Sequence, residues 1–106
     1  ISYYKDFILP NKRYRSATEF EVAALESLIK ELESLPSDAL NELIQSKVYA
    51  VGKEHGYENL REWFQALYEV LFGQSQGPRM GSFIQLFGIH ETIKLIQKAL
   101  DGKIGN

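Results

Sequence analysis

Cysteine is absent from the sequence, and histidine occurs only twice, at His55 and His90. Without cysteine there are no disulfide bonds and no thiolate metal sites, and the redox compartment stays undecided. His90 is followed by Glu91 but by no second histidine one helical turn further on, so the helical zinc motif is missing. We therefore expect structural roles for both histidines, His55 in the last turn of one helix and His90 in the first turn of another.

Long apolar runs and strand patterns are also missing. No apolar run approaches the roughly 18 residues that a membrane-spanning helix needs, and no secretory signal pattern is present. A cytoplasmic location without membrane contact is the default expectation. Apolar and polar residues do not alternate over a length typical of a strand, and no Asn-Gly or Asp-Gly turn joins two β-rich runs. These absences favour an all-α protein.

The residues that could support catalysis form no recognised arrangement. Ser75 and Ser82 lie in or near the glycine-bounded loop 73–78, which we call the central loop, but the sequence has no Gly-x-Ser-x-Gly motif. The glycine-containing loop 73–81 lacks the Lys-Ser/Thr ending of a phosphate-binding loop. Most carboxylates fall on predicted polar helix faces. We expect no active site and no metal site in this chain.

The length of 106 residues fits one domain that can bury a core without cross-links. The formal net charge of −2 argues mildly against strong non-specific phosphate binding but leaves room for a local basic patch. The sequence begins at Ile1 rather than Met, and we expect it to be a piece of a longer protein. We interpret residues 1–16 as a basic connector from a preceding domain and residues 17–106 as the helical domain.

Helical periodicity predicts about five helices with short links, packed as a compact bundle or cage without a sheet. Thr18 and Glu21 predict a capping box for one helix, and Ser37 is expected to cap the next. Asn59 with Glu62 has the form of a second capping box. A last helix is expected from about residue 89 to residue 100. The apolar inner faces are predicted to include Leu25, Leu28, Leu32, Leu40, Leu43, Ile44, Val48, Val51, Trp63, Leu67, Phe83, Ile93 and Ile96.

Glycine and proline mark the ends of the central helices. Gly56, Gly73 and Gly88 are expected to end helices. Gly77-Pro78 is expected to open one, because proline is tolerated in the first helical turn.

Aromatic residues are concentrated between Tyr57 and Gly88, a stretch that holds the only Trp, four of the six Phe and two of the six Tyr. Aromatic rings beside arginines are typical of surfaces that bind unpaired RNA bases, which stack on rings while phosphates contact cations. The candidate RNA-binding residues are Arg79, Arg61, Tyr57, Trp63, Arg15, Arg13 and Lys12.

Two of these candidates have a structural alternative. Trp63 recurs at helical spacing with apolar residues, and such residues are more often core than stacking platform. Arg79 follows Pro78 at a predicted helix N-terminus, where the helix dipole disfavours its charge. Contact with phosphate, or an ion pair with Glu62 or Glu69, would each explain its position.

Several segments carry a recognisable family pattern. The most specific is Leu71-Phe72-Gly73 followed by Gly77-Pro78-Arg79-Met80-Gly81-Ser82-Phe83. The others are Tyr4 with Pro10, Lys12-Arg13-Tyr14-Arg15, Val48-Tyr49 with Gly52-Lys53, and Trp63-Phe64-Gln65-Ala66-Leu67-Tyr68. Together, over essentially the whole chain, these segments resemble the C-terminal part of class I lysyl-tRNA synthetases.

This resemblance implies an α-helical anticodon-binding domain, the cage at the end of the enzyme away from its active site. The His-Ile-Gly-His and Lys-Met-Ser-Lys-Ser signatures of class I synthetases are absent from the sequence. ATP, lysine and any magnesium would then bind in a catalytic domain elsewhere in the same chain, with no cofactor here. The implied partner is the anticodon stem-loop of lysine tRNA, and the implied role is to support attachment of lysine to that tRNA in translation.

A helical protein–protein interaction domain is the alternative hypothesis. Its aromatic-rich face would then serve as a docking groove. An exposed apolar patch without a basic rim would favour this alternative, whereas a cleft that combines arginine with an accessible ring would favour RNA.

Overall fold

The computed structural model describes residues 17–101, which fold into five α-helices. The helices are α1 (Glu19–Glu33), α2 (Asn41–Glu54), α3 (Leu60–Leu67), α4 (Met80–Phe87) and α5 (Ile89–Leu100), and a π-helical segment (Tyr68–Phe72) continues α3 directly. Within this range the chain forms no strand, so the prediction of an all-α bundle is confirmed. None of the described helices is long and apolar enough to cross a membrane.

The five helices surround a single apolar core. Helix α2 packs most extensively on α4, while α1 packs on both α2 and α5. The radius of gyration of 12.5 Å is that of a compact domain of this size. The largest fully buried side chains are Trp63, Phe72, Phe83, Leu25, Leu28, Leu32, Ile44, Leu67, Leu71, Met80 and Ile84.

The first two helices begin in different ways. At α1 the predicted capping box is confirmed, because Thr18 Oγ1 accepts from the Glu21 N–H at 3.2 Å and Glu21 Oε1 accepts from the Thr18 N–H at 3.0 Å. The prediction that Ser37 caps α2 is wrong, because that helix starts only at Asn41 and has no side-chain cap. Its first N–H group donates instead to Gln85 Oε1 of α4, at 3.1 Å. A partner distant in sequence thus replaces the local cap.

The starts of α3 and α4 also differ in detail from the sequence patterns. Asn59 caps α3, but its Oδ1 accepts from the Arg61 N–H at 3.0 Å rather than from Glu62. Pro78 lies before α4 instead of in its first turn, since Arg79 is the N-cap residue and the helix begins at Met80. The predicted opening of this helix at Gly77-Pro78 is therefore about two residues early.

The predicted helix stops are confirmed. Gly56, Gly73 and Gly88 adopt φ values of 88°, 72° and 109°, a region that favours glycine because it has no Cβ atom. Gly88 separates α4 from α5 without a longer link, so the chain changes direction within one residue.

Part of the predicted inner face of α2 is exposed. Leu40 and Leu43 were expected in the core, but they are 62% and 44% exposed. The helix begins later than predicted, so Leu40 lies before its first turn, and only Ile44, Val48 and Val51 of the predicted set are buried.

Candidate nucleic-acid interface

Trp63 lies in the core and has no exposed surface. Its Nε1–H donates to the Val48 backbone oxygen at 2.9 Å. Its ring occupies the space above Gly52 of α2, where a Cβ atom would lie 2.5 Å from Trp63 Cδ1. The hypothesis that Trp63 is a stacking platform is therefore wrong: this side chain joins α3 to α2.

Tyr57 lies in a cleft that is rich in carboxylates. Its ring packs between Phe20, at a centroid distance of 4.9 Å, and Trp63, at 5.2 Å. The cleft is lined by Phe20, Glu21, Gly56, Tyr57, Glu58, Asn59, Glu62, Gln65, Ala66 and Glu69. We call it the acidic cleft. Its negative charge disfavours a phosphate backbone beside Tyr57, so the structure does not bring Tyr57 together with the arginines.

Arg79 is exposed and contacts a neutral amide. Its Nη1 donates to Asn41 Oδ1 at 2.6 Å. The ion pairs among residues 17–101 do not include one between Arg79 and Glu62 or Glu69, which the sequence left open. Asn41 is held in turn by Gln85, whose Oε1 accepts from Asn41 Nδ2 at 3.2 Å. Since an amide carries no net charge, the guanidinium stays available to an anion.

Arg61 lies in a second cleft, on the side of α3 that faces the central loop. This cleft, of about 450 Å³, is lined by Arg61, Phe64, Gln65, Tyr68, Ser75 and Gln76. We call it the Arg61 cleft. It combines one cation, two aromatic rings and the amide or hydroxyl groups of three polar side chains, which is the set of groups that unpaired nucleotides require.

The loop between the π-helical segment and α4 is held against this cleft by Tyr68. The Tyr68 hydroxyl donates to the Pro78 backbone oxygen at 2.9 Å. Gly77 packs so closely that a Cβ atom there would lie 2.8 Å from both Tyr68 Cδ1 and Phe72 Cδ2. These contacts fix the backbone next to Arg79, so one tyrosine connects the Arg61 cleft to the second arginine.

Tyr49 is an aromatic residue beside the Arg61 cleft that was not among the predicted site residues. It is 43% exposed, and its ring meets the Phe64 ring edge to face at 5.1 Å and 67°. A weak signal was present in the sequence: Tyr49 and Lys53 are four residues apart, which places a ring and a cation side by side on a helix.

Helix α2 connects the surroundings of the two arginines. Asn41, Gln45, Tyr49 and Lys53 follow each other at intervals of four residues and so lie along one side of the helix. Asn41 binds Arg79, Gln45 Oε1 accepts from the Gly81 N–H at 2.6 Å, and Tyr49 contacts the Arg61 cleft through Phe64. From Asn41 to Tyr49 the helix rises roughly 12 Å. We call this row, together with Arg79 and the Arg61 cleft, the binding face.

Replacing Tyr68 with phenylalanine is expected to change the pH dependence of folding. Burial, and secondarily the nearby Tyr49, raises the pKa of the Tyr68 phenol above its ordinary value of 10.0. The folded state thus keeps this proton to a higher pH than the unfolded state does. Its stabilising contribution is complete below about pH 10 and is lost as the pH rises through the raised pKa.

Urea denaturation across this pH range tests the expectation. At neutral pH we expect Tyr68→Phe to lower the free energy of unfolding by about 1 kcal/mol, the value of a typical hydrogen bond. Above about pH 10 the difference between wild type and variant should shrink. A difference that stays constant through alkaline pH would contradict the raised pKa.

The remaining predicted candidates and the histidines lie elsewhere. Lys12, Arg13 and Arg15 fall outside the described residues, as does the proposed connector 1–16. The His55 ring nitrogen Nε2 lies 2.6 Å from Ser27 Oγ, which ties the end of α2 to α1. Across residues 17–101, His, Asp and Glu side chains form no group of three that could hold a metal ion.

Comparison with known proteins gives a consistent result. A family model described as an anticodon binding domain matches residues 3–100. A lysine–tRNA ligase of Roseobacter denitrificans is 48% identical over 104 residues, covering 98% of this chain and 20% of the ligase. A lysine–tRNA ligase of Rickettsia bellii is 46% identical over 100 residues, covering 94% of this chain and 19% of the ligase. The chain thus spans about a fifth of the length of these curated relatives. No solved structure matches.

Proposed function

The chain belongs to the anticodon-binding domain family, and from this premise we propose that it binds the anticodon stem-loop of lysine tRNA through the binding face. Unpaired bases of the loop would enter the Arg61 cleft, while Arg61 and Arg79 contact phosphates. No bond is made or broken in this domain; its contribution is to hold the tRNA in a defined position.

The parent protein in this proposal is a cytoplasmic lysine–tRNA ligase of class I. The relatives named above are about five times longer than this chain. A catalytic domain in the remainder would bind ATP, lysine and any magnesium and would attach lysine to the tRNA during translation. The anticodon-binding domain would act with that catalytic domain by positioning the other end of the same tRNA molecule.

The observation that carries the proposal is a pair of exposed arginines that have no carboxylate partner among residues 17–101. Arg79 is bound by the neutral Asn41 amide, and the ion pairs within the described part of the chain, Lys47 with Glu31 and Lys94 with Glu91, involve neither arginine. An exposed guanidinium beside aromatic rings is suited to a phosphate or to the flat face of a base. This local arrangement would allow a chain of net charge −2 to bind RNA.

Exposed leucines support a second candidate function, docking against another folded domain. Leu40 and Leu43 lie one helical turn apart at the start of α2, and both are largely exposed. Leu86 of α4, 72% exposed, follows Gln85, which is hydrogen-bonded to Asn41. The three leucines belong to, or directly precede, the two helices that pack against each other most extensively, and exposed apolar side chains of this kind would favour a protein partner.

Removing either arginine is expected to weaken RNA binding and reduce its dependence on salt. The test titrates Arg61→Ala and Arg79→Gln with the lysine-tRNA anticodon stem-loop and with a scrambled loop at several salt concentrations. For each lost phosphate contact, the slope of log K against log salt should fall by roughly 0.7 to 1. Glutamine at position 79 removes the charge but retains an N–H donor for Asn41.

Lys98→Ala provides the matched control, because it removes an exposed cation from α5, outside the binding face. Its affinity and salt slope should equal those of the wild type. If Lys98→Ala weakens binding as much as the two arginine variants do, binding is non-specific and the proposal fails. Equal affinity of the wild type for native and scrambled loops would also contradict it.

A further inference from the structure

We propose that Tyr49 is the platform on which one unpaired base of the bound RNA stacks, with Lys53 and Arg61 contacting neighbouring phosphates. This inference rests on the proposed function and adds the residue that receives the base. It assigns a binding role to a side chain that lies outside the candidates derived from the sequence.

The Tyr49 ring is held by a neighbouring ring and is also accessible to a ligand. Its ring is held edge to face against Phe64, at 5.1 Å between centroids, a geometry that stabilises aromatic pairs. At the same time 43% of the residue is exposed. A ring that is fixed on one side and open on another loses little conformational freedom when a base stacks on it.

Two cations lie near this ring. Lys53 is exposed and one helical turn further along α2, about 6 Å in axial rise. Arg61 lines the cleft of which Phe64 forms a wall. A nucleotide stacked on Tyr49 would therefore have positive charge near its phosphates.

Other rings of the domain are less suited to this role. Trp63, Phe72 and Phe83 are fully buried. Phe20 is 52% exposed, but it lines the acidic cleft with Glu21 and Glu58. A base on Phe20 would bring its phosphate close to carboxylates, whose repulsion opposes binding. Among the residues that the structure describes, Phe20 and Tyr49 are the exposed rings, and the charge around them favours Tyr49.

The test compares four variants in the 106-residue chain: Tyr49→Ala, Tyr49→Leu, Tyr49→Phe and Phe20→Ala. The ligand is the lysine-tRNA anticodon stem-loop, carrying 2-aminopurine at each loop position in turn. Tyr49→Ala and Tyr49→Leu should lose about 5- to 150-fold in affinity, the range found when one stacking ring is removed. Their salt slopes should stay unchanged, because no charge is removed.

Tyr49→Phe should bind like the wild type and quench the same 2-aminopurine position. Tyr49→Leu separates stacking from folding, since it keeps an apolar contact with Phe64 but has no aromatic face. Phe20→Ala should leave affinity unchanged. Thermal unfolding of each variant shows whether the fold is retained.

The outcomes separate this inference from the proposed function. If the wild type does not discriminate the native loop from a scrambled one, the proposed function fails and this inference with it. If the wild type discriminates but Tyr49→Leu binds as tightly, the stacking role alone is overturned. The stacking role is also overturned if Phe20→Ala loses as much affinity as Tyr49→Ala. It is overturned as well if the 2-aminopurine fluorescence at every loop position is quenched equally in the wild type and in Tyr49→Ala.

Discussion

Trp63→Ala is expected to lower the free energy of unfolding by about 5 kcal/mol, enough to unfold much of the protein at room temperature. Truncating a buried tryptophan costs roughly 3–5 kcal/mol through lost burial and the cavity left behind. The hydrogen bond from the indole N–H to the Val48 backbone oxygen, at 2.9 Å, would also be lost, which costs about 1 kcal/mol more. Total domain stabilities are typically about 5–15 kcal/mol. Guanidinium denaturation followed by far-ultraviolet circular dichroism measures the change.

Two further variants separate the parts of this effect. Trp63→Phe keeps a ring above Gly52 but removes the N–H donor, and should cost about 1–3 kcal/mol. Phe20→Ala removes a ring that is 52% exposed and contacts Tyr57, and should lower stability by only about 1 kcal/mol. If Trp63→Ala were no more damaging than Phe20→Ala, Trp63 could not be the core residue that joins α3 to α2.

Gly81→Ala is expected to destabilise the protein by roughly 2–3 kcal/mol, although alanine is the better helix former by about 1 kcal/mol. An added Cβ atom would overlap the Asn41 carbonyl oxygen and lie 3.1 Å from the Gln45 backbone nitrogen. Both atoms belong to the backbone of α2, so the overlap can be relieved only by moving α2 away from α4. That movement would also break the hydrogen bond from the Gly81 N–H to Gln45 Oε1. Urea denaturation measures the loss.

Ser82→Ala is the matched control for this prediction. It changes the neighbouring position of α4, which is only partly buried, and should alter stability by at most about 0.5 kcal/mol. A second measurement uses RNA: because Asn41 also binds Arg79, Gly81→Ala should weaken stem-loop binding while Ser82→Ala should not. A Gly81→Ala variant as stable as the wild type would show that α2 and α4 are not in close contact.

Local signals in the sequence predicted the helices well. The capping box of Thr18 and Glu21 and the stops at Gly73 and Gly88 depend on residues within one helical turn, and all were confirmed. The starts of α2 and α4 were misplaced for a common reason. At both, a glutamine from the other helix accepts the N–H of an early helical residue, and no local pattern reveals a partner about 40 residues away.

The candidate site was predictable only in part, because residue type does not determine which side of a helix faces solvent. The sequence directed attention to Trp63 and Tyr57, but the first is buried and the second lies in the acidic cleft. Arg61 and Arg79 stay candidates, and both are exposed in the structure. Tyr49 could not be identified as a candidate from the sequence, because its contact with Phe64 forms only when α2 and α3 pack together.

The bond between the Trp63 indole and Val48 makes the contact of α3 with α2 directly observable by hydrogen exchange. The sequence has a single tryptophan, so the chain contributes one indole N–H resonance to its nuclear magnetic resonance spectrum. That proton is buried and bonded to a carbonyl of another helix, so it can exchange with deuterium only when the two helices separate. Comparing its exchange rate with and without RNA would show whether a ligand bound at the surface makes the separation of α2 and α3 less frequent.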